Sequence, residues 1–272
     1  MSDSRFRTIE VSDPRFEHEG LRHVTFKSPA LARRADMTLY VPTAATEARD
    51  VPLVILLHGV YGSHWAWALK GGAHRTAERL IREDAIPPMA LAMPSDGLWG
   101  DGSGYVRHPS GAGDFERYVV DEVPACAGEV VPAVGPGSPL FIAGLSMGGF
   151  GALKLGAKHP RRFRGISGHS SITHFSQMAH FVEEPLAAYG PPPEQEQSVL
   201  HWMSSNRTDL PPVRFDCGTA DPLLEGNRAL HRGLQAAGVP HRYEEFPGGH
   251  EWPYWELHLA DTLRFFADAL RA

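Results

Sequence analysis

Continuous apolar runs of four or five residues alternate along the chain with longer segments whose apolar positions recur every three or four residues. The runs at Leu53–Leu57, 89–93 and 140–143 contain no polar residue, the mark of strands buried on both faces of a sheet. Segments 22–27 and 37–41 alternate apolar and polar positions and predict two half-exposed opening strands. Segments 213–217 and 241–246 are more amphipathic and predict strands toward an edge. Helical spacing predicts helices at 73–84, 115–131, 148–158, 225–237 and 255–270; Leu259, Leu263, Phe266 and Leu270 show it in the last. Strands alternating with helices predict an α/β fold with a mostly parallel, doubly wound sheet flanked by helices, and the whole chain, 1–272, as a single domain. Two segments break the rhythm. The glycine-rich stretch 95–114 reads as a long loop after a strand. The stretch 171–209, with Pro191-Pro192-Pro193 near its middle, reads as an insertion or lid over the sheet.

Composition narrows the function classes. With 42% apolar and 21% charged residues over 272 positions, the chain can bury a large core, which excludes disorder, collagen and coiled coil for the whole. The net charge of −6 leaves no basic field to hold a nucleic acid. No run approaches the roughly 18 uninterrupted apolar residues of a membrane span. The segment from Met1 to Glu10 lacks the apolar centre of a secretory signal, so the cytoplasm is the expected address. Cys126 and Cys217, the only thiols, are expected to stay separate and reduced. Neither cysteine stands at zinc spacing and no H-E-x-x-H occurs, so no metal and no cofactor is implied. Asp96, Asp101 and Asp114 in the glycine-rich stretch could hold an ion, against the plainer role of solvated loop acids.

One motif stands where chemistry requires it. Gly144-Leu145-Ser146-Met147-Gly148 fits G-x-S-x-G between a buried strand and a predicted helix, the position of a nucleophile elbow. A serine hydroxyl is a poor nucleophile until a base removes its proton. Asp221 follows the strand ending at Cys217, and His250 follows the strand ending at Phe246. Both polar residues therefore fall at the carboxyl end of a strand, the edge that carries Ser146, and the chain order Ser, Asp, His suits the elbow. Asp216, inside its strand, reads as structural, and Glu225 as a first-turn helix acid. His231 and His258 fall on helices as solvated surface. An oxyanion needs donors aimed at it in advance. The backbone N–H of Met147 and that of Val60, with Tyr61 as the neighbouring alternative, are the candidates. His58, at the end of a buried strand, reads as a hydrogen-bonded structural histidine.

These segments resemble a known family. The elbow from Ala143 to Leu153, with Pro160 and Phe163 beyond it, is similar to that of the esterase D and tributyrin-esterase group of α/β-hydrolases. The strand ending in Leu57-His58-Gly59, the turn Cys217-Gly218-Thr219-Ala220-Asp221 and the segment from Pro247 to Trp252 with Trp255 match the same group. The resemblance implies an α/β-hydrolase fold and an esterase with Ser146, Asp221 and His250 as triad. The loop from His58 to Trp65 resembles that of small carboxylesterases and lacks the Ser-Gly-Leu-Thr-Cys pattern of typical S-formylglutathione hydrolases.

The leading expectation is a serine carboxylesterase acting on a small, short-acyl ester through an acyl-enzyme. Three alternatives stand beside it: an acyltransferase of the same fold, an S-formylglutathione hydrolase-like thioesterase, and a binding protein on a hydrolase scaffold. Tyr61, Trp65, Trp99, Phe175, Met178 and Phe181 are candidates for the substrate pocket, each equally suited to ordinary core. The aromatic-rich insertion offers a surface on which a homo-oligomer could form.

Overall fold

Alternation along the apolar runs decides the layers. In the computed structural model, which describes residues 4–45, 48–108, 111, 113–190 and 192–271, Leu53, Ile55 and Leu57 enter one hydrophobic core while Val54 and Leu56 enter another on the opposite face. The strands are β1 (Ile9–Val11), β2 (Leu21–Ser28), β3 (Arg33–Tyr40), β4 (Leu53–Leu57), β5 (Ala90–Pro94), β6 (Leu140–Leu145), β7 (Gly165–His169), β8 (Val213–Gly218) and β9 (Arg242–Phe246). They form one sheet in the order β1-β2-β3-β5-β4-β6-β7-β8-β9. β1, β2 and β3 pair antiparallel, β3 meets β5 antiparallel, and every other pairing is parallel. The sheet is thus mostly parallel and flanked by helices, the α/β-hydrolase arrangement.

Helices cover both of its faces. One face carries α2 (Phe115–Arg117, a π turn at Tyr118–Glu122, then Val123–Val130), α3 (Met147–Lys158), α4 (Val199–Ser205) and α5 (Leu224–Ala236). The other carries α1 (Ala73–Arg82) and α6 (Trp252–Arg271). The expected helix 115–131 is therefore interrupted. Pro124 lacks an N–H, and its ring clashes with the carbonyl of Val120 in a regular helix. The backbone widens into a π turn, and the Val120 carbonyl accepts Nη2 of Arg162 at 3.1 Å.

Two strands escape the sequence pattern. β1 is only three residues long. β7, Gly165-Ile166-Ser167-Gly168-His169, has one large apolar side chain, yet all five residues are buried. Bulk comes from its neighbours: the stacked rings of Phe141 and Phe266 lie over Gly165. β8 and β9 take the last two places of the sheet, near the edge as expected, but β8, whose amphipathic pattern predicts partial exposure, is fully buried, and β9 takes the edge itself. Its charges are tolerated because they pair. Asp216 accepts from Arg214 Nη1 and from Tyr254 Oη (2.8 Å), and lies 2.9 Å from His169 Nδ1. Burial pushes the Asp216 carboxyl up, but the charges of His169 and Arg214 outweigh burial and hold it at about 2.

The segment from Ser171 to Asp209 folds as short helical turns, Phe175–His180, Leu186–Tyr189 and Glu194–Gln197, followed by α4, whose Val199 and Met203 are buried in the core. Pro191 of this stretch, and Pro109, Ser110 and Ala112 of the glycine-rich one, lie outside the described residues. The glycine-rich stretch is largely buried and self-bonded: the Asp96 carboxylate accepts the N–H groups of Leu98 (3.2 Å) and Ser103 (2.8 Å). Asp101 and Asp114 likewise accept backbone N–H groups, of Glu183 (2.6 Å) and Arg117 (2.9 Å). Among the described residues no group of three His, Cys, Asp or Glu gathers as a metal site, and no helix is long and apolar enough to cross a membrane. Cys126 and Cys217 are buried and form no disulfide.

Two outcomes follow from this packing. Asp216→Asn removes the nearest carboxylate from the buried Arg214 guanidinium, leaving it Glu244 at 3.3 Å, and should cost about 3 kcal/mol in urea unfolding. Because the Asp216 value is depressed in the folded state, its contribution to stability is full above about pH 4 and falls away as pH drops toward about 2; the variant should lose that part of the acid slope. Gly148→Ala would set a Cβ 2.2 Å from the Leu57 carbonyl oxygen and 2.5 Å from that of His58, so it should cost at least about 2–3 kcal/mol in the same assay.

Candidate active site

The registers of the parallel strands bring four loop starts to one edge. Leu57 pairs with Gly144, Leu145 with His169, and Gly218 with Phe246, so the residues that follow β4, β6, β8 and β9 emerge together at the carboxyl ends.

Ser146 links β6 to α3 with φ 55° and ψ −120°, a left-handed conformation that a serine adopts only when its surroundings impose it. Those surroundings are all backbone. The Ser146 N–H donates to the His169 carbonyl (3.0 Å), and the Ser146 carbonyl accepts the N–H groups of Phe150 and Ile172 (each 3.1 Å). α3 can start at once because Gly148 has no side chain to strike the end of β4.

Ser146 Oγ lies 3.0 Å from His250 Nε2, and His250 Nδ1 lies 2.9 Å from Asp221 Oδ2. The other Asp221 oxygen accepts the Leu223 N–H at 2.8 Å. Burial raises the Asp221 carboxyl, but the hydrogen bond and charge of His250 and the Leu223 N–H more than offset it, and the net position is below the usual carboxylate value. The loops that carry Asp221 and His250 are tied by the Ala220 N–H to the Gly248 carbonyl (2.9 Å). The imidazole sits between two rings. Phe181 stacks on it at 4.9 Å and 26°, and Trp255 meets it edge-on at 5.0 Å and 89°.

In the loop after β4, His58 is buried. Its Nδ1 lies 2.7 Å from the Gly59 carbonyl, and its Nε2 accepts the Asp96 N–H at 3.1 Å, so Nδ1 carries the proton and donates. The Tyr61 N–H donates to the Asp101 carbonyl at 3.0 Å. Tyr61 is exposed, with φ 56°.

A cavity of about 190 Å³ opens beside Ser146 and His250. Among the aromatic candidates Tyr61, Trp65 and Phe181 line it. Phe175 and Met178 do not: both are buried in the core beneath. The turn Phe175–His180 repeats every three residues, so these two share an inward face, and Phe181 leaves that face as the helix ends. Trp99 also lies elsewhere, packed on His108 (4.1 Å) and Tyr189 (5.3 Å). Trp67 is buried, its Nε1 donating to the Leu57 carbonyl at 3.0 Å. Lys70, Trp252 and Trp255 complete the wall and were not among the pocket candidates. The signal for the two tryptophans was their spacing of three just after His250. α6 starts at Trp252, three residues earlier than its pattern predicts, and so turns both toward the site. Of the competing residues, His258 is not solvated but buried, stacked on Phe246 at 4.2 Å, and Asp216 is spent in the network under the sheet.

Comparison with known proteins follows the same architecture. The family described as "Putative esterase" matches residues 28–266. The acetyl esterase of Caldicellulosiruptor saccharolyticus is 26% identical over 237 residues, covering 81% of this chain and 85% of that protein. An esterase of Mycobacterium tuberculosis strain H37Rv is 26% identical over 272 residues and covers 88% of this chain; the match spans only 56% of the mycobacterial protein. Among solved structures, a ferulic acid esterase superposes with a TM-score of 0.78 at 23% identity, covering 96% of this chain and 99% of the other. The family match, which runs from the end of β2 into the last helix, shows that the chain belongs to this esterase family, as a serine ester hydrolase of the α/β-hydrolase fold.

Proposed function

We propose that the protein hydrolyses small, short-acyl carboxylic esters through an acyl-enzyme, with Ser146 as nucleophile, His250 as general base and Asp221 as the group that orients the imidazole. The observation that carries this reading is the unbroken hydrogen-bonded line from Ser146 Oγ through both ring nitrogens of His250 to Asp221. Ser146 Oγ attacks the ester carbonyl carbon as its proton passes to His250 Nε2, and the carbonyl electron pair moves onto oxygen. Collapse of the tetrahedral adduct expels the alcohol oxygen, which takes the proton from Nε2. Water then repeats both steps on the acyl-enzyme and releases the acid. Asp221 remains a carboxylate throughout and stabilises the imidazolium.

The oxyanion is assigned to the N–H groups of Val60 and Met147, a stabilisation worth about 3 kcal/mol per donor. Two facts favour Val60 over Tyr61. The Tyr61 N–H is already donated to Asp101. The Gly59 carbonyl is held by His58 Nδ1, and a trans peptide directs the following N–H to the opposite side. Met147 stands at the first position of α3, where the backbone N–H has no partner within the helix. A short acyl group is supported by the small cavity and by Phe181, which covers the imidazole from the inserted segment. The similarity to a protein named acetyl esterase points the same way.

Mixing the protein with p-nitrophenyl acetate should release a burst of p-nitrophenol before steady turnover. Ser146→Ala should abolish the burst, lower turnover by at least about 10⁴-fold and prevent labelling by a fluorophosphonate; equal turnover by both proteins would exclude the mechanism. In a series of p-nitrophenyl acetate, butyrate and octanoate, kcat/KM should fall at least about fivefold between butyrate and octanoate, the size of a steric cost of about 1–3 kcal/mol. A flat profile would remove the short-acyl assignment.

A further inference from the structure

The cavity beside Ser146 has aromatic and aliphatic walls and one permanent cation. Lys70 lies at its rim, exposed, with Nζ 5.4 Å from the centre of the Trp252 ring. Trp252 in turn meets Trp255 at 5.3 Å, and Trp255 meets His250 at 5.0 Å, so a file of rings leads from the ammonium to the imidazole. The backbone next to Lys70 is seated on the same indole: a Cβ at Gly71 would come 2.8 Å from the Trp252 ring. Packing thus holds the backbone at Lys70 against the indole over which its ammonium lies. Among the described residues no carboxylate lines the cavity, and Lys70 enters no ion pair; Glu256 borders the neighbouring groove that Lys70 also touches. The acids near the site gather elsewhere. Asp101 is tied to the loop after β4, its carbonyl accepting the Tyr61 N–H at 3.0 Å and its Oδ2 the Glu183 N–H at 2.6 Å, and burial together with the charges of Asp101 and Glu183 raises the Tyr61 hydroxyl. Charge near the site is thus divided, positive at Lys70 on the rim and negative at Asp101 behind the Tyr61 loop.

We propose that Lys70 is a specificity-determining residue that selects esters bearing a free carboxylate away from the scissile bond. The proposal rests on the esterase reading above and names the substrate class within it. A carboxylate entering this cavity is repelled from the Tyr61 side and drawn to the ammonium. The aromatic walls hold the apolar span between carboxylate and ester. The carboxylate can belong to the acyl part, as in a dicarboxylic acid monoester, or to the alcohol part, as in an acetylated hydroxy acid.

Two substrate pairs separate these sources: monomethyl adipate against dimethyl adipate, and 4-acetoxybenzoate against its methyl ester. The readout is the ratio of kcat/KM for the anionic and neutral member of each pair, compared between proteins so that intrinsic reactivity cancels. Lys70→Met, which keeps the apolar stem on Trp252, should lower the ratio about threefold in the arm that matches the natural substrate. Lys70→Glu should lower it about tenfold, and Lys70→Arg should keep it near the wild-type value. The wild-type ratio should fall as salt is raised to about 0.5 M, since the ammonium is exposed. Ratios that stay constant across the variants in both arms, while the neutral esters are still turned over, overturn the assignment of Lys70 and leave the esterase reading standing. Absence of turnover of every ester by the wild-type protein overturns both.

Discussion

The approach of α3 to the end of β4 is the contact on which the site depends. Gly148 lies so close to the carbonyl oxygens of Leu57 and His58 that no side chain fits between them. With the helix pressed there, the chain has a single residue in which to turn from strand to helix. That residue is Ser146, and the turn forces its backbone to φ 55°. The strain is not incidental. It lifts the hydroxyl out of the sheet and leaves the N–H of Met147 at the first position of the helix, with no helical partner. Hydroxyl and donor are thus directed by one packing constraint, and it is made of backbone atoms that few substitutions can relax.

Beneath that turn the sheet carries an unusual burden for a buried region: Arg214, Asp216, His169 and Thr262 in mutual contact. Their arrangement is tied to the site above. The Ser146 N–H ends on the His169 carbonyl, and the Ser170 N–H on the Asp216 carbonyl. Ionised groups in an apolar interior are costly unless geometry is held closely. A network that tolerates little movement is a suitable base for a hydrogen-bonded line whose links are 3.0 and 2.9 Å.

Several features were readable along the chain because their physical cause is local. Continuous apolar runs identify β4, β5 and β6, since a strand buried on both faces has no polar side. The serine between glycines marks the tight turn because the turn excludes side chains. Other features were not readable because their cause is a neighbour. β7 is buried by the bulk of Phe141 and Phe266, not its own. His258 looks like helix surface until Phe246 covers it. Phe175, Met178 and Phe181 share one spacing, yet the first two face the core and only Phe181 reaches His250, because the short helix ends between them. Lys70 is an unremarkable lysine in sequence. What distinguishes it is the indole of Trp252, nearly two hundred residues away along the chain.

By itself, then, the amino-acid order determined the layers, the parallel sheet, the turn at Ser146 and the placement of Asp221 and His250 just beyond strand ends, since each follows from side-chain size and polarity within a few residues. Only the tertiary structure decided which rings wall the cavity, that the Tyr61 N–H is spent on Asp101, and where the charges lie around the site. These depend on strand register and helix docking, which bring distant residues to within a few ångströms and leave no trace in local composition.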